Sequence, residues 1–167
     1  EPYRDYARRL ADRTIDALQT DDGAFRDGLA EGPGLLSRPL HPIDENARLA
    51  DALVDLSYLT REDSYGSVAE EAIAAFADAA DHLGVQAAGY GRAAARLVEQ
   101  PLVLAIETPP GSDLHRAALR MADHEKVVLP GAAVSGPGLA SILGVSRSGP
   151  PIKTPADLAS AVQATFE

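Results

Sequence analysis

The stretch Ser37 to Thr60, SRPLHPIDENARLADALVDLSYLT, constrains this chain most, because it marks where helix is forbidden and where it must begin. Pro39 and Pro42 hold the backbone extended and bias the residue before each away from helix, so helix waits for Ile43 and Asp44. Asp44, Glu45 and Asn46 then crowd the first turn, where unpaired N–H groups and the positive end of the helix dipole favour carboxylates. Asp44 is read there as a cap. Behind these residues Leu49, Ala50, Leu53, Leu56 and Ser57 recur at helical spacing, the stripe of a helix anchored by one face. The expectation is a buried helix body with a polar mouth that points inward.

Other stretches repeat the helical period. Tyr3, Tyr6, Ala7, Leu10, Ala11, Thr14, Ile15 and Leu18 share one side of a helix over Tyr3 to Thr20, ended by Asp21, Asp22 and Gly23. From Ala24 to Leu40 the period is lost. Short extended pieces near Ala24 to Asp27 and Leu35 to Arg38 are expected to form a ribbon or ordered loop. Tyr65, Val68, Ala69, Ala72, Ile73, Phe76, Ala79, Ala80 and Leu83 predict one uninterrupted helix, capped by Asp63 or Ser64 and ended by Gly84. Val85 to Gln100 reads as a further helix, stopped by Pro101 and lined with small residues. Short turns between these helices imply antiparallel neighbours.

At Leu102 the pattern changes to strand and helix in alternation. Leu102 to Ile106 is a short continuous apolar run, as expected of a strand buried on both faces. Ser112 caps a helix carrying Leu114, Ala117, Ala118 and Met121, and Val127 to Leu129 reads as a second strand. A glycine-rich loop from Gly131 to Gly138 leads to a short helix at Leu139 to Leu143, and Val145 begins a third strand. Thr154, Pro155 and Asp157 supply a cap, a first-turn proline and an acidic third position for the last helix. The fold class expected is α+β, mainly α. Residues 1–101 form the helical part, and 102–167 an α/β tail with a short parallel sheet packed on it.

Acidic residues outnumber basic ones by 25 to 15, for a net charge of −10, which disfavours nucleic acid and anionic lipid as partners. Lys126 and Lys153 are the only lysines, and with abundant Asp and Ala this suits an interior rich in salt, or a GC-rich genome. Without cysteine the segment has no disulfide, thiolate nucleophile or cysteine-ligated metal. No leader-like or membrane-spanning run is visible in EPYRDYARRL or beyond, so a cytoplasmic protein is expected. Glu1 in place of an initiating methionine suggests a piece of a longer polypeptide.

The DGAFRDG ribbon, the SRPLHPIDENA approach, the LVDLSYLTREDSY helix and turn, and the PLVLAIE strand together resemble the C-terminal part of thioredoxin-domain-containing proteins similar to spermatogenesis-associated protein 20 and its microbial relatives. The resemblance implies the last hairpins of an (α/α)-toroid-like domain, shaped like six-hairpin glycosidases and sugar epimerases, followed by a small α/β tail. It also implies missing N-terminal domains of the same parent chain as partners, the thioredoxin-like domain among them. The family pattern of arginine and proline followed by Asp and Asn carries onto Arg38, Pro39, Asp44 and Asn46. Its usual continuation, Pro-Ser-Gly-Asn, is replaced by Ala47, Arg48, Leu49 and Ala50. In the tail, Pro151, Ile152 and Thr154 resemble a family motif, with Ser146 and Ser148 where cysteines would stand.

The candidate pocket is therefore Arg38, His41, Asp44, Glu45 and Asn46. Asp44 and Glu45 could divide acid and base roles, but neighbours on a helix point about 100° apart, which favours a capping role for Asp44. Arg38 could pair with Asp44 or Asp27 and steady the loop, or hold an anion. His41, His82, His115 and His124 show no metal-binding spacing, so no metal and no cofactor is expected. Ser135 lies in GAAVSGPG, which lacks the lysine of a phosphate loop. Three readings stay open. The chain could be a noncatalytic part of its parent, with a homodimer through an exposed helical face as one consequence. It could be part of the pocket of a sugar epimerase, isomerase or glycosidase-like enzyme, or it could be a protein docking module.

Overall fold

A computed structural model describes residues 2–82, 84, 87–99, 101–123, 125–134, 138–143 and 151–166. The chain divides into two compact units, Glu1–Gln100 and Pro101–Glu167. Helix accounts for 56% of it, so the class is mainly α, with one small sheet.

The first unit carries four α-helices: α1 (Pro2–Leu18), α2 (Ile43–Thr60), α3 (Asp63–Ala74) and α4 (Ala87–Val98). Its core is built chiefly from α2 and α3. Ala47, Ala50, Leu53, Val54 and Leu56 of α2 meet Tyr65, Ala69, Ala72 and Ile73 of α3, and Ala11, Phe25 and Ala93 join the same buried cluster. Arg61 ends α2 in the left-handed conformation at φ 62, and its N–H donates to the Ser57 carbonyl. Polar contacts tie α1 to α3. The Tyr65 hydroxyl donates to Asp12 at 2.6 Å, and Arg8 pairs with Glu62 at 2.8 Å.

Three local expectations change here. The α3 helix stops at Ala74 instead of running on, and a 3-10 turn follows at Ala77–His82. The Ile73 carbonyl, which an uninterrupted helix would offer to Ala77, instead accepts from the Phe76 N–H and the Tyr90 hydroxyl. Residues Gly34–Ser37 form a 3-10 turn in place of the second extended piece. No side chain caps α2 or α3. Pro42 and Glu62 occupy the cap positions, which leaves Asp44 and Asp63 inside the first turn, where they favour the helix through its dipole only.

The second unit contains β1 (Val103–Ile106), α5 (Asp113–Arg120), β2 (Val127–Pro130), β3 (Ala140–Ile142) and α6 (Pro155–Gln163). The strand order is β2-β1-β3. Strand β1 pairs with β2 in parallel, as a strand, helix, strand unit requires, but with β3 antiparallel, so the sheet is mixed and not purely parallel. Residues 140–142 form a strand where a short helix was expected. Ala140 and Ile142 are buried while Ser141 between them is less so, a period of two that three residues reveal only once the partner strand is known. Val145, the expected third strand, lies outside the described residues. All four residues of β1 are buried, and Leu104 and Ile106 pack with Leu114, Ala118, Leu158, Ala161 and Val162.

The caps of this unit follow the sequence reading. Ser112 accepts from the His115 N–H, and Thr154 with Asp157 forms a complete capping box ahead of α6. The Asp157 carboxylate accepts from the backbone N–H of Lys153, and this bond, then the bonds with Thr154, hold its carboxyl below the usual range. A depressed carboxyl stabilises the fold above its unfolded pKa, and that contribution is lost as pH falls through the lower folded value. Acidification below about pH 4 is thus expected to loosen α6 progressively. An Asp157→Asn variant should lose that pH dependence when α6 protection is followed by hydrogen exchange.

Candidate functional site

The loop between α1 and α2 is held by side chains that imitate backbone partners. Phe25 forms a bridge with Gln19, and Thr20 and Asp22 close the tight turn between them. The Thr20 hydroxyl and then the Ala24 N–H hold the Asp22 carboxyl below its ordinary value, and His41 lies close enough to add to this. Asp27 pairs twice with Leu40, its N–H donating to the Leu40 carbonyl and its carboxylate accepting from the Leu40 N–H, both at 2.9 Å.

Asn46 is the centre of this arrangement. It is 1% exposed. Its Oδ1 accepts from the Phe25 N–H at 2.7 Å, while its Nδ2 donates to the carbonyls of Phe25 and Pro42, each at 2.9 Å. A primary amide is the neutral side chain that can match an N–H and a C=O at once, so Asn46 closes Phe25 as a neighbouring strand would. Its amide protons are both used, and no ligand role is left to them.

Arg38, His41, Asp44 and Glu45 are exposed. Among the described residues no hydrogen bond or ion pair joins any two of Arg38, His41, Asp44, Glu45 and Asn46. Arg38 pairs with neither Asp44 nor Asp27, whose carboxylate is engaged by Leu40. The loop is steadied by Asp27 and Asn46, and by Arg26 donating to the Ala17 carbonyl at 3.0 Å, not by an Arg38 salt bridge. Among the described residues no group of three or more His, Cys, Asp or Glu could hold a metal ion. His115 accepts from the Gly111 N–H through Nδ1 at 3.0 Å, a local turn contact. His124, Ser135, Ser146 and Ser148, and the side chain of His82, lie outside what is described.

The densest charged cluster is elsewhere, between α2 and α4. Arg96 is 8% exposed. It donates to Asp55 and, at 3.4 Å, to both the carboxylate and the carbonyl of Asp51, which Arg92 also engages. Sequence reasoning missed it, although a signal existed. Asp51 and Asp55 are four apart on one helix, Arg92 and Arg96 four apart on another, the spacing that lines up two opposite-sign rows.

Chemically, the first unit offers hydrogen-bonded pins and a partly buried ion cluster, in which the neighbouring carboxylates of Asp51 and Asp55 are both engaged by arginine. No helix among the described residues is long and apolar enough to cross a membrane. No protein-family model, curated protein or solved structure matches this chain.

Proposed function

We propose that this chain is the C-terminal part of a thioredoxin-domain-containing protein of the kind similar to spermatogenesis-associated protein 20, and that it serves there as a noncatalytic packing module. The observation that carries the reading is the width of the apolar stripe on α1. Ala7, Ala11, Ile15 and Leu18 pack into the core, while Tyr3, Tyr6 and Leu10 on the adjoining side are 88%, 62% and 56% exposed. These three leave roughly 400 Å² of mainly apolar surface open, within the range of the largest apolar patch on a monomer, which is often functional. That is about half of what each partner of a stable dimer buries, so a helix of the same parent suits it better than a second copy. On this reading α1 to α4 are successive antiparallel hairpins of an (α/α)-toroid, and the exposed side of α1 seats on the hairpin before it.

The alternative of an epimerase, isomerase or glycosidase-like pocket gains no support from four exposed side chains and an Asn46 whose amide is fully used. The decisive experiment starts from the coding sequence upstream of Glu1, where a domain bearing a CxxC pair is expected. That upstream polypeptide, made separately, should bind this chain, and Tyr6→Glu should weaken binding at least about tenfold. Absence of such a domain, or binding indifferent to Tyr6→Glu, overturns the proposal.

A further inference from the structure

We infer that α4 is an ionically seated helix that releases from α2 as ionic strength rises while the pairing of α2 with α3 holds. The two seats are built differently. Among the described residues of the buried apolar cluster in the first unit, α2 and α3 supply nine and α4 supplies Ala93, with Tyr90, Ala94 and Leu97 partly buried against them. What α4 buries besides Ala93 is a cation, Arg96. Its guanidinium and that of Arg92 straddle Asp51, and Arg96 reaches on to Asp55. The attraction between α2 and α3 is apolar and non-directional, so sodium chloride leaves it intact. The attraction between α2 and α4 adds to a small apolar contact a coulombic part that mobile ions can screen.

Screening acts unevenly on this cluster. Arg92 is 56% exposed and Asp55 49%, so their pairs with Asp51 and Arg96 are open to mobile ions, whereas Arg96 and Asp51 are shielded from them at 8% and 13%. Salt therefore weakens the outer contacts first and leaves α4 held by the inner pair and by Ala93 with its partly buried neighbours. The position of α4 in the chain makes this consequential. Pro101 and β1 follow it directly, so α4 is the covalent exit from the helical unit. A helix that leaves α2 without unfolding the rest frees the last segment of the helical unit.

Hydrogen–deuterium exchange of the full chain, followed peptide by peptide, tests this. Raising NaCl from about 0.05 M to about 1 M should speed exchange in residues 87–98 about threefold to tenfold, the loss of two partly exposed ion pairs. Residues 43–74 should not change. In Asp51→Asn the same segment should exchange at least about tenfold faster at low salt, because Asp51 is a counter-charge that Arg92 and Arg96 share. If Asp51→Asn does not fold, the double variant Asp51→Leu, Arg96→Met replaces the inner pair by apolar contact and should keep residues 87–98 protected at both salt concentrations. Salt-independent exchange in the unaltered chain overturns the inference. So does acceleration spread equally over residues 43–74, or a salt response undiminished in the double variant.

Discussion

Replacing Asn46 by alanine is expected to destabilise the helical unit by about 4 kcal/mol, the summed cost of leaving a buried N–H and a buried C=O unpaired. Both orphaned groups belong to Phe25, whose side chain is itself 3% exposed and part of the core. The Pro42 carbonyl loses less, because the Asn46 backbone N–H still donates to it at 3.1 Å. For a unit of this size the loss corresponds to a fall in melting temperature of about 20 °C. Asn46→Asp should do no better at neutral pH. One carboxylate oxygen keeps the Phe25 N–H, but the other is set against two carbonyl oxygens that need a donor. Thermal denaturation followed by circular dichroism distinguishes this from a ligand-facing role. If Asn46 served a ligand, the alanine variant would melt with the unaltered chain, and Asn46 would not be what holds Phe25 in the loop.

Asn46 also shows what kind of information a sequence carries. Its position in the polar mouth of α2 is legible from the prolines before it and the stripe behind it, and the helix begins at Ile43 as the stripe requires. Its partner is not legible, because Phe25 lies 21 positions away, and nothing local marks either residue as half of a pair. Periodicity reports which face of a helix is apolar, so the cores around Leu53 and Ile73 and around Leu104 and Leu158 follow from it. It is silent on where a polar side chain is spent. The same limit explains β3. Three residues are too few for a period of two to be told from one of three and a half, and the strand exists because β1 offers Val103, Glu107 and the backbone between them as partners. Caps are legible when the donor and acceptor are three residues apart, as in Thr154 and Asp157. They fail when a proline takes the cap position, as Pro42 does ahead of Asp44.

Gly23→Ala is expected to cost about 3 kcal/mol, and Gly28→Ala less than about 0.5 kcal/mol, although both glycines follow an aspartate in the same DGAFRDG segment. Two independent terms fall on Gly23. Its φ of +89 lies in a region that a side chain disfavours by about 1 kcal/mol. Its added Cβ would also stand 2.8 Å from the Glu71 carbonyl oxygen and 3.0 Å from the carbon, both backbone atoms of α3. A carbonyl inside a helix cannot swing aside as a side-chain tip can, so the turn must lift away from α3. That lift would strain the bridge of Gln19 with Phe25 and, through Phe25, the hold of Asn46. Around Gly28 there is nothing within 4 Å to meet a new methyl group. Chemical denaturation of the two variants side by side therefore tests the seating of this loop on α3, because the φ of Gly23 accounts for about 1 kcal/mol of the difference and the contact with α3 for the rest. A loss of no more than about 1 kcal/mol in Gly23→Ala, the part that φ alone explains, would mean that the turn does not rest on α3.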